Sequence, residues 1–328
     1  MKLLNNRKKA GILSSLLLLC STSVFAQAPQ VLASIKPLQL ISQAITDGVT
    51  DTQVLLPPGA SPHSYSMSFS DARRLRSAEV VFWVGPDMEA FLERSLPSPE
   101  KTTTLAMMEI EGIRLRKNNG DEAHTHNHKE DHHHEHHHGE YDPHVWLSSD
   151  NGRAMAKAMA QTLSDVDKEH AAQYQKNLAR FLKQMDAADQ RNQTIVKKLE
   201  NQPLFVFHDA YGYLQDQYHL NIAGHFTLTP DQKPGGKHLK SLHSRLKAAG
   251  RTCVFREPQF QPVQIDSLTR GLPVKVGVLD PLGESVEVRA DGYPQFINSL
   301  VDNINECLNS VAPAPEKLAL KVNPQQNS

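Results

Sequence analysis

Along the first hundred residues, the hydrophobic positions switch between short unbroken runs and runs spaced by threes and fours. Val31-Leu32-Ala33-Ser34-Ile35 reads as a buried strand, and Leu38 to Ile45 continues at helical spacing. Gln53-Val54-Leu55-Leu56 is a second strand, stopped by Pro57-Pro58-Gly59. Ser70-Asp71 caps a helix running through Ser77. Val80-Val81-Phe82-Trp83-Val84 then meets Gly85-Pro86, as a buried strand would. Such alternation predicts a parallel sheet covered on both faces.

The period changes in the middle of the chain. Tyr174, Leu178, Phe181, Leu182, Met185, Ala188, Ile195, Val196 and Leu199 recur at threes and fours, with no Gly or Pro between them. One amphipathic helix is predicted over 165–200, roughly 50 Å long at 1.5 Å per residue. Beyond it, strands are predicted at Leu204–Phe207, Ile222–Leu228, Cys253–Phe255 and Lys275–Leu279. The expected fold is α/β, with two Rossmann-like lobes over 27–164 and 201–310. Each is a mainly parallel sheet with flanking helices, and the long rigid helix joins them. That spine should limit the lobes to modest rocking. Residues 311–328 are rich in Pro, Gln and Asn and read as a flexible tail.

Residues 1–26 do not fit this pattern. Lys2, Arg7, Lys8 and Lys9 precede a short apolar stretch from Ile12 to Cys20, and Val24-Phe25-Ala26 offers small residues for cleavage. This is the form of a secretory signal peptide, and the stretch is far shorter than the ~20 residues that span a bilayer. A soluble, exported protein is expected. The 328 residues carry 35 basic and 36 acidic side chains. That near balance gives no reason to expect nucleic acid as a partner. Without the four leader cations the net charge falls to −5.

Export bears on the cysteines. Cys20 leaves with the leader, so Cys253 and Cys307 remain, enclosing about 55 residues. Two uses are open, a disulfide or a thiolate metal site. Neither cysteine lies in a Cys-x-x-Cys pattern, which favours the disulfide, worth roughly 4 kcal/mol in a chain-entropy account.

The 17 histidines are unevenly placed. His124, His126, His128, His132, His133, His134, His136, His137 and His138 crowd one stretch with Asp121, Glu122, Glu130, Asp131 and Glu135. Residues 117–140 hold almost no apolar side chain, so they are expected to form a disordered loop. Its imidazoles, with His225, make an auxiliary metal site on a tether whose ordering costs entropy. Four other positions share a different context. His63 follows the strand ending at Leu56, His208 follows Phe205-Val206-Phe207, and Asp280 follows Val276 to Leu279. His144 stands in Asp142-Pro143-His144-Val145-Trp146. Ligands of open α/β sheets bind beyond the carboxyl ends of strands. Three imidazoles and a carboxylate there would hold zinc in four-coordinate geometry, although Asp280-Pro281-Leu282-Gly283 also has the composition of a simple turn. Zinc retention on imidazoles should weaken as pH falls through the range near 6.5.

At these residues the chain resembles the ZnuA-like periplasmic zinc-binding proteins of bacterial ABC-type zinc importers. The resemblance runs to about Leu308. It rests on Pro-Gly-Ala-Ser-Pro-His-Ser-Tyr-Ser at 58–66, Val-Gly-Pro-Asp-Met-Glu-Ala-Phe at 84–91 and Asp-Pro-His-Val-Trp at 142–146. It rests further on Phe-His-Asp-Ala-Tyr-Gly-Tyr at 207–213, Ala-Gly-His-Phe-Thr at 223–227, Glu-Pro-Gln-Phe at 257–260 and Leu-Asp-Pro-Leu-Gly at 279–283. The resemblance implies that His63, His144 and His208 bind zinc and that Cys253 and Cys307 form a disulfide. It implies a monomer that captures Zn2+ between its lobes and passes it to a membrane permease driven by a separate ATPase. No Gly-x-x-x-x-Gly-Lys-Ser/Thr loop occurs in this chain. One departure is Pro62, where some members carry a Glu ligand; it leaves the fourth position to Asp280 or water. Relatives that select manganese commonly place a carboxylate at the position of His208, and imidazole there is the softer ligand. The rival readings are a carrier of manganese or nickel, a mononuclear zinc hydrolase, and a metal-dependent adhesin; Cys20 lacks the small residue before it that lipid-anchored adhesins use.

Overall fold

The structure is a computed structural model that describes residues 28–118, 139–199, 201–260 and 263–311. The expected leader, the histidines from 124 to 138 and residues 312–328 lie outside the described residues.

The first sheet contains β1 (Val31–Ala33), β2 (Thr52–Val54), β3 (Val80–Trp83) and β4 (Thr103–Ala106), in the order β2-β1-β3-β4. All its pairings are parallel; Val31 stands opposite both Thr52 and Val80. The second sheet repeats that order as β6-β5-β7-β8. Its strands are β5 (Pro203–His208), β6 (Asn221–Thr227), β7 (Thr252–Arg256) and β8 (Val274–Val278), again parallel throughout. The interior strands β1 and β3 are buried along their whole length, which explains their unbroken apolar composition. The expected strands recur with shifts of one or two residues at their ends, and β4 was not among them.

Helices α1 (Lys36–Thr46), α2 (Phe69–Ser77) and α3 (Pro86–Glu93) serve the first sheet. The cap of α2 is Ser68, not the expected Ser70. Ser68 and Asp71 close a reciprocal capping box, which Ser70 could not make because Asp71 would follow it directly. Helices α6 (Gly212–Tyr218), α7 (Gly236–Ala249) and α8 (Val263–Thr269) serve the second sheet.

The helix expected over 165–200 is shorter and begins later. Helix α4 (Ser149–Val166) ends at Asp167, and α5 runs from Ala171 to Val196, roughly 39 Å at 1.5 Å per residue. Asp167 makes the break. Its carboxylate accepts hydrogen bonds from the His170 ring at 2.7 Å and the Tyr174 hydroxyl at 2.8 Å, which organise the turn into α5. Burial alone would raise the pKa of Asp167, but these bonds lower it. The Lys197–Leu199 end is a tighter 3-10 turn.

One face of α5 is buried at Tyr174, Asn177, Phe181, Met185, Ala188 and Asn192. Each large apolar side chain there stabilises the fold by roughly 1.5–3 kcal/mol. Asn177 fastens the helix to the first lobe by donating to the carbonyls of Ile45 and Asp47, both at 2.8 Å. Toward the second lobe, Asp189 accepts from the Tyr218 hydroxyl at 2.6 Å. Helix α9 (Gly292–Val311) completes the spine, and a disulfide joins Cys307 on it to Cys253 on β7. Tyr174, Trp146, Tyr211 and Tyr293 share one core cluster with side chains of both sheets. The lobes are therefore fused along the spine side as well as facing across the opposite edge.

Residues 117–140 were expected to be a disordered loop, and both ends of that stretch are ordered. Lys117 and Tyr141 form an antiparallel bridge, and Asn118 N–H donates to the Glu140 carbonyl at 3.0 Å. An ion pair of 3.1 Å between Lys117 and Glu140 adds to this pairing. Backbone pairing of the two ends offsets part of the ordering entropy that composition alone cannot meet.

Candidate metal centre

Three histidines from separate parts of the chain meet where the carboxyl ends of the two sheets face each other. His208 is the last residue of β5. His63 lies in the loop between β2 and α2. His144 caps a single 3-10 turn, Val145–Leu147, ahead of α4. His144 and His208 are buried, and His63 is half-buried. Their Nε2 atoms converge, with His144 at 3.3 Å from His63 and at 3.3 Å from His208. Among the described residues, these three form the group of histidine, cysteine, aspartate or glutamate donors that gathers within 4.8 Å.

Two buried carboxylates aim the rings. Asp142 Oδ1 lies 2.7 Å from His144 Nδ1, and Glu257 Oε1 lies 2.6 Å from His208 Nδ1. A carboxylate only accepts, so each neutral imidazole carries its proton on Nδ1 and presents a lone pair at Nε2. Lone pairs at van der Waals distance repel one another unless a cation lies between them. Tetrahedral zinc with Zn–N bonds of about 2.0–2.1 Å sets its ligand nitrogens roughly 3.3–3.4 Å apart. The two separations from His144 match, and the third pair, His63 and His208, lies within 4.8 Å.

Further contacts fix these carboxylates. Asp142 Oδ1 also accepts the His144 N–H at 3.0 Å, and Arg116 lies 3.7 Å from its other oxygen. The Tyr213 hydroxyl donates to the Asp142 carbonyl at 2.8 Å and accepts the Arg116 N–H at 2.9 Å. Tyr213 belongs to α6, so the His144 segment is bound to the second lobe. Trp146 strengthens that tie by donating to the Pro281 carbonyl at 2.7 Å. Beside Glu257, the Tyr211 hydroxyl donates to the Leu279 carbonyl at 2.9 Å. Burial, with the charges of Glu257 and Asp280 nearby, pushes the Tyr211 pKa well above its ordinary value, so it remains a donor.

Asp280, the fourth expected ligand, stands outside the histidine group. Its Oδ1 accepts from Leu282 N–H and Gln259 Nε2, both at 3.0 Å, and its Oδ2 accepts from Glu284 N–H at 2.7 Å. The carboxylate organises the Asp-Pro-Leu-Gly turn, as that composition allows. His225, expected in the auxiliary site, lies on β6, stacked on His238 at 5.6 Å and 3.9 Å from Asp209. The nine crowded histidines lie outside the described residues.

Two spaces adjoin the three rings. A cleft of about 810 Å³ opens on His63 and His144 and is lined by Asp87, Asp142, Asp209 and Asp231, with no lysine or arginine lining it among the described residues. Such a wall attracts cations. A smaller, half-open space of about 20 Å³ touches all three histidines together with Trp146, Phe260 and Leu282. That is room for about one water.

Asp142 and Glu257 were missed as functional residues. Both were visible as acids directly before proline, in Asp-Pro-His and Glu-Pro-Gln. An acid two positions before a candidate ligand is a usable signal. The Glu257–His208 pairing spans 49 residues, and no local pattern announces it.

The repeated lobes and the imidazole cluster define the class, a two-lobed metal-binding protein of the solute-binding type. Residues 31–307 match the family described as ZnuA, zinc-uptake complex component A, periplasmic, and the chain belongs to that family. The chain is 38% identical over 314 residues to the high-affinity zinc uptake system protein ZnuA of Yersinia pestis, covering 93% of this chain and 98% of that one. It is 41% identical over 292 residues to the protein so named from Haemophilus ducreyi, covering 85% and 93%. A crystal structure of ZnuA superposes with a TM-score of 0.70 at 23% identity, over 86% of this chain and 99% of that one, which establishes the fold.

Proposed function

We propose that this protein captures Zn2+ on His63, His144 and His208 and delivers it to the permease of an ABC importer. The observation that carries this reading is the 3.3 Å spacing of His144 Nε2 from the other two rings, with carboxylates behind His144 and His208 turning their lone pairs inward. A water in the one-water space would complete four-coordination, since Asp280 is engaged in its turn. An all-imidazole set favours zinc over manganese, which prefers oxygen ligands. Membership of a zinc-uptake family favours a carrier over a hydrolase built on the same three ligands. The protein would work in the periplasm as a monomer after loss of residues 1–26. The histidines from 124 to 138, with His225, would hold further metal more weakly.

Calorimetric zinc titration tests the assignment. The full chain should show one tight site and additional weaker binding, and a variant lacking 121–140 should keep the tight site alone. His208→Ala should lose it, with affinity falling by at least two orders of magnitude. Survival of the tight site in His208→Ala, or its loss in the deletion variant, would sink the assignment.

A further inference from the structure

The three histidines are not held alike. His208 sits in a strand and His144 on a segment bound to α6, both with a carboxylate behind the ring. His63 rides on a loop of the first lobe. That loop is secured within its own lobe by the Tyr65 hydroxyl, which donates to Asp71 at 2.7 Å. Burial would raise the Asp71 pKa, but hydrogen bonds from Tyr65, Arg74 and Ser68 hold it well below the usual carboxylate range, so this acceptor stays charged. On the other side of His63 the loop reaches the second lobe. Gly59 N–H donates to Glu284 Oε1 at 2.7 Å, a contact between residues 225 positions apart. Gly59 has φ +80°, a backbone that glycine adopts without strain.

Glu284 is itself braced. Gln259 Nε2 donates to Glu284 Oε1 and to Asp280 Oδ1, both at 3.0 Å, while Asp280 accepts the Glu284 N–H. Gln259 stands two residues beyond Glu257, which aims His208. One continuous path therefore runs from the ligand on β5 to the loop that carries His63.

We propose that Glu284 is a positioning residue, a strap across the lobes that holds the His63 loop in place and sets how fast bound metal escapes. This deepens the zinc-capture reading and rests on it for the release rate. The strap itself is independent of bound metal. A charged acceptor at a partly exposed site suggests a change of roughly 5- to 30-fold on its removal.

Two measurements test it, with Glu284→Ala, Glu284→Gln and the exposed control Glu287→Ala. The first is zinc release into excess chelator, followed by stopped flow. Glu284→Ala should release roughly 5- to 30-fold faster than the unaltered protein, and Glu284→Gln, which keeps a carbonyl acceptor, should recover most of the difference. Glu287→Ala should release at the normal rate. The second is hydrogen exchange at the Gly59 amide in the metal-free protein, which should accelerate in Glu284→Ala by a similar factor. Unchanged Gly59 exchange in Glu284→Ala overturns the strap whether or not the protein holds zinc. Normal release from Glu284→Ala overturns its role in retention. Equal acceleration by all three variants overturns it too, because lost charge would then be the cause. If the unaltered protein binds no zinc, the carrier reading fails, and the exchange result still decides the strap.

Discussion

The two sheets share one strand order but use their switch points differently. Each has a crevice beyond its two interior strands, between β1 and β3 in the first lobe and between β5 and β7 in the second. In the second lobe this crevice holds a histidine and a carboxylate 2.6 Å apart, His208 ending β5 and Glu257 following β7. In the first lobe, Ser34 follows β1, and Glu89, on α3 beyond β3, turns back to accept the Val84 N–H at 2.7 Å. Glu89 is fully buried and raised to about 7, because burial outweighs the hydrogen bonds from Ser34, Val84 and Gly85. A carboxylate beside an imidazole can serve a metal site; one buried among neutral groups, whose hydrogen bonds only partly offset its desolvation, is pushed toward its protonated form. The two histidines that the first lobe brings to the site lie instead outside its strands, on the loop of His63 and the segment of His144.

The largest break in this comparison is removal of the second lobe's carboxylate. Glu257→Ala should lower zinc affinity roughly 100-fold, the upper end for a partner that orients a ligand histidine. Glu257→Gln should cost only about tenfold, since its amide oxygen still accepts from Nδ1. Asp142→Asn, altering the partner of His144, should resemble Glu257→Gln. Competition titration against a chelator of known affinity measures all three. Unaltered affinity in Glu257→Ala would show that His208 is aimed by packing alone.

The first lobe gives a smaller effect, read in stability. Between about pH 4.5 and 7 an unfolded chain has released the Glu89 proton while the folded chain still holds it. Stability therefore falls as pH rises through that window and carries a constant penalty above it, on the order of 3–4 kcal/mol. Glu89→Gln keeps an acceptor for Val84 without the charge. Denaturation of the metal-free variant and parent at pH 5 and pH 8 should show the variant losing less stability between the two. Parallel pH profiles would mean that the carboxylate is ionised inside the fold at no cost.

The contrast also marks what could be read from residues alone. Strands β1, β3, β5 and β7 announced themselves because a sheet covered on both faces demands unbroken apolar runs. The three histidines stood out as isolated polar residues beyond such runs or beside a distinctive Asp-Pro-His. Glu257 was hidden because its partner is distant in sequence, and the break at Asp167 was hidden because the apolar period of α5 was extended back to 165. Asp280 was ambiguous for a related reason. A strand-end aspartate before proline serves a turn or a ligand set with the same composition, and in the structure Leu282, Glu284 and Gln259 surround its carboxylate.

That ambiguity yields the smallest expected effect. If the Asp280 carboxylate serves the turn, Asp280→Asn preserves an oxygen for the Leu282 N–H and the Gln259 amide, and loses only its second acceptor toward Glu284. No metal bond is lost, so zinc affinity should fall by less than about threefold, the scale of one weakened surface hydrogen bond. A true fourth ligand would behave otherwise, because a neutral amide oxygen is a poor substitute for a charged donor in the zinc shell. A fall of two orders of magnitude would return Asp280 to the coordination sphere. It would also make the second lobe the source of two ligands, one from the end of each of β5 and β8, and the contrast between the lobes would then rest on strand ends as well as on the switch points.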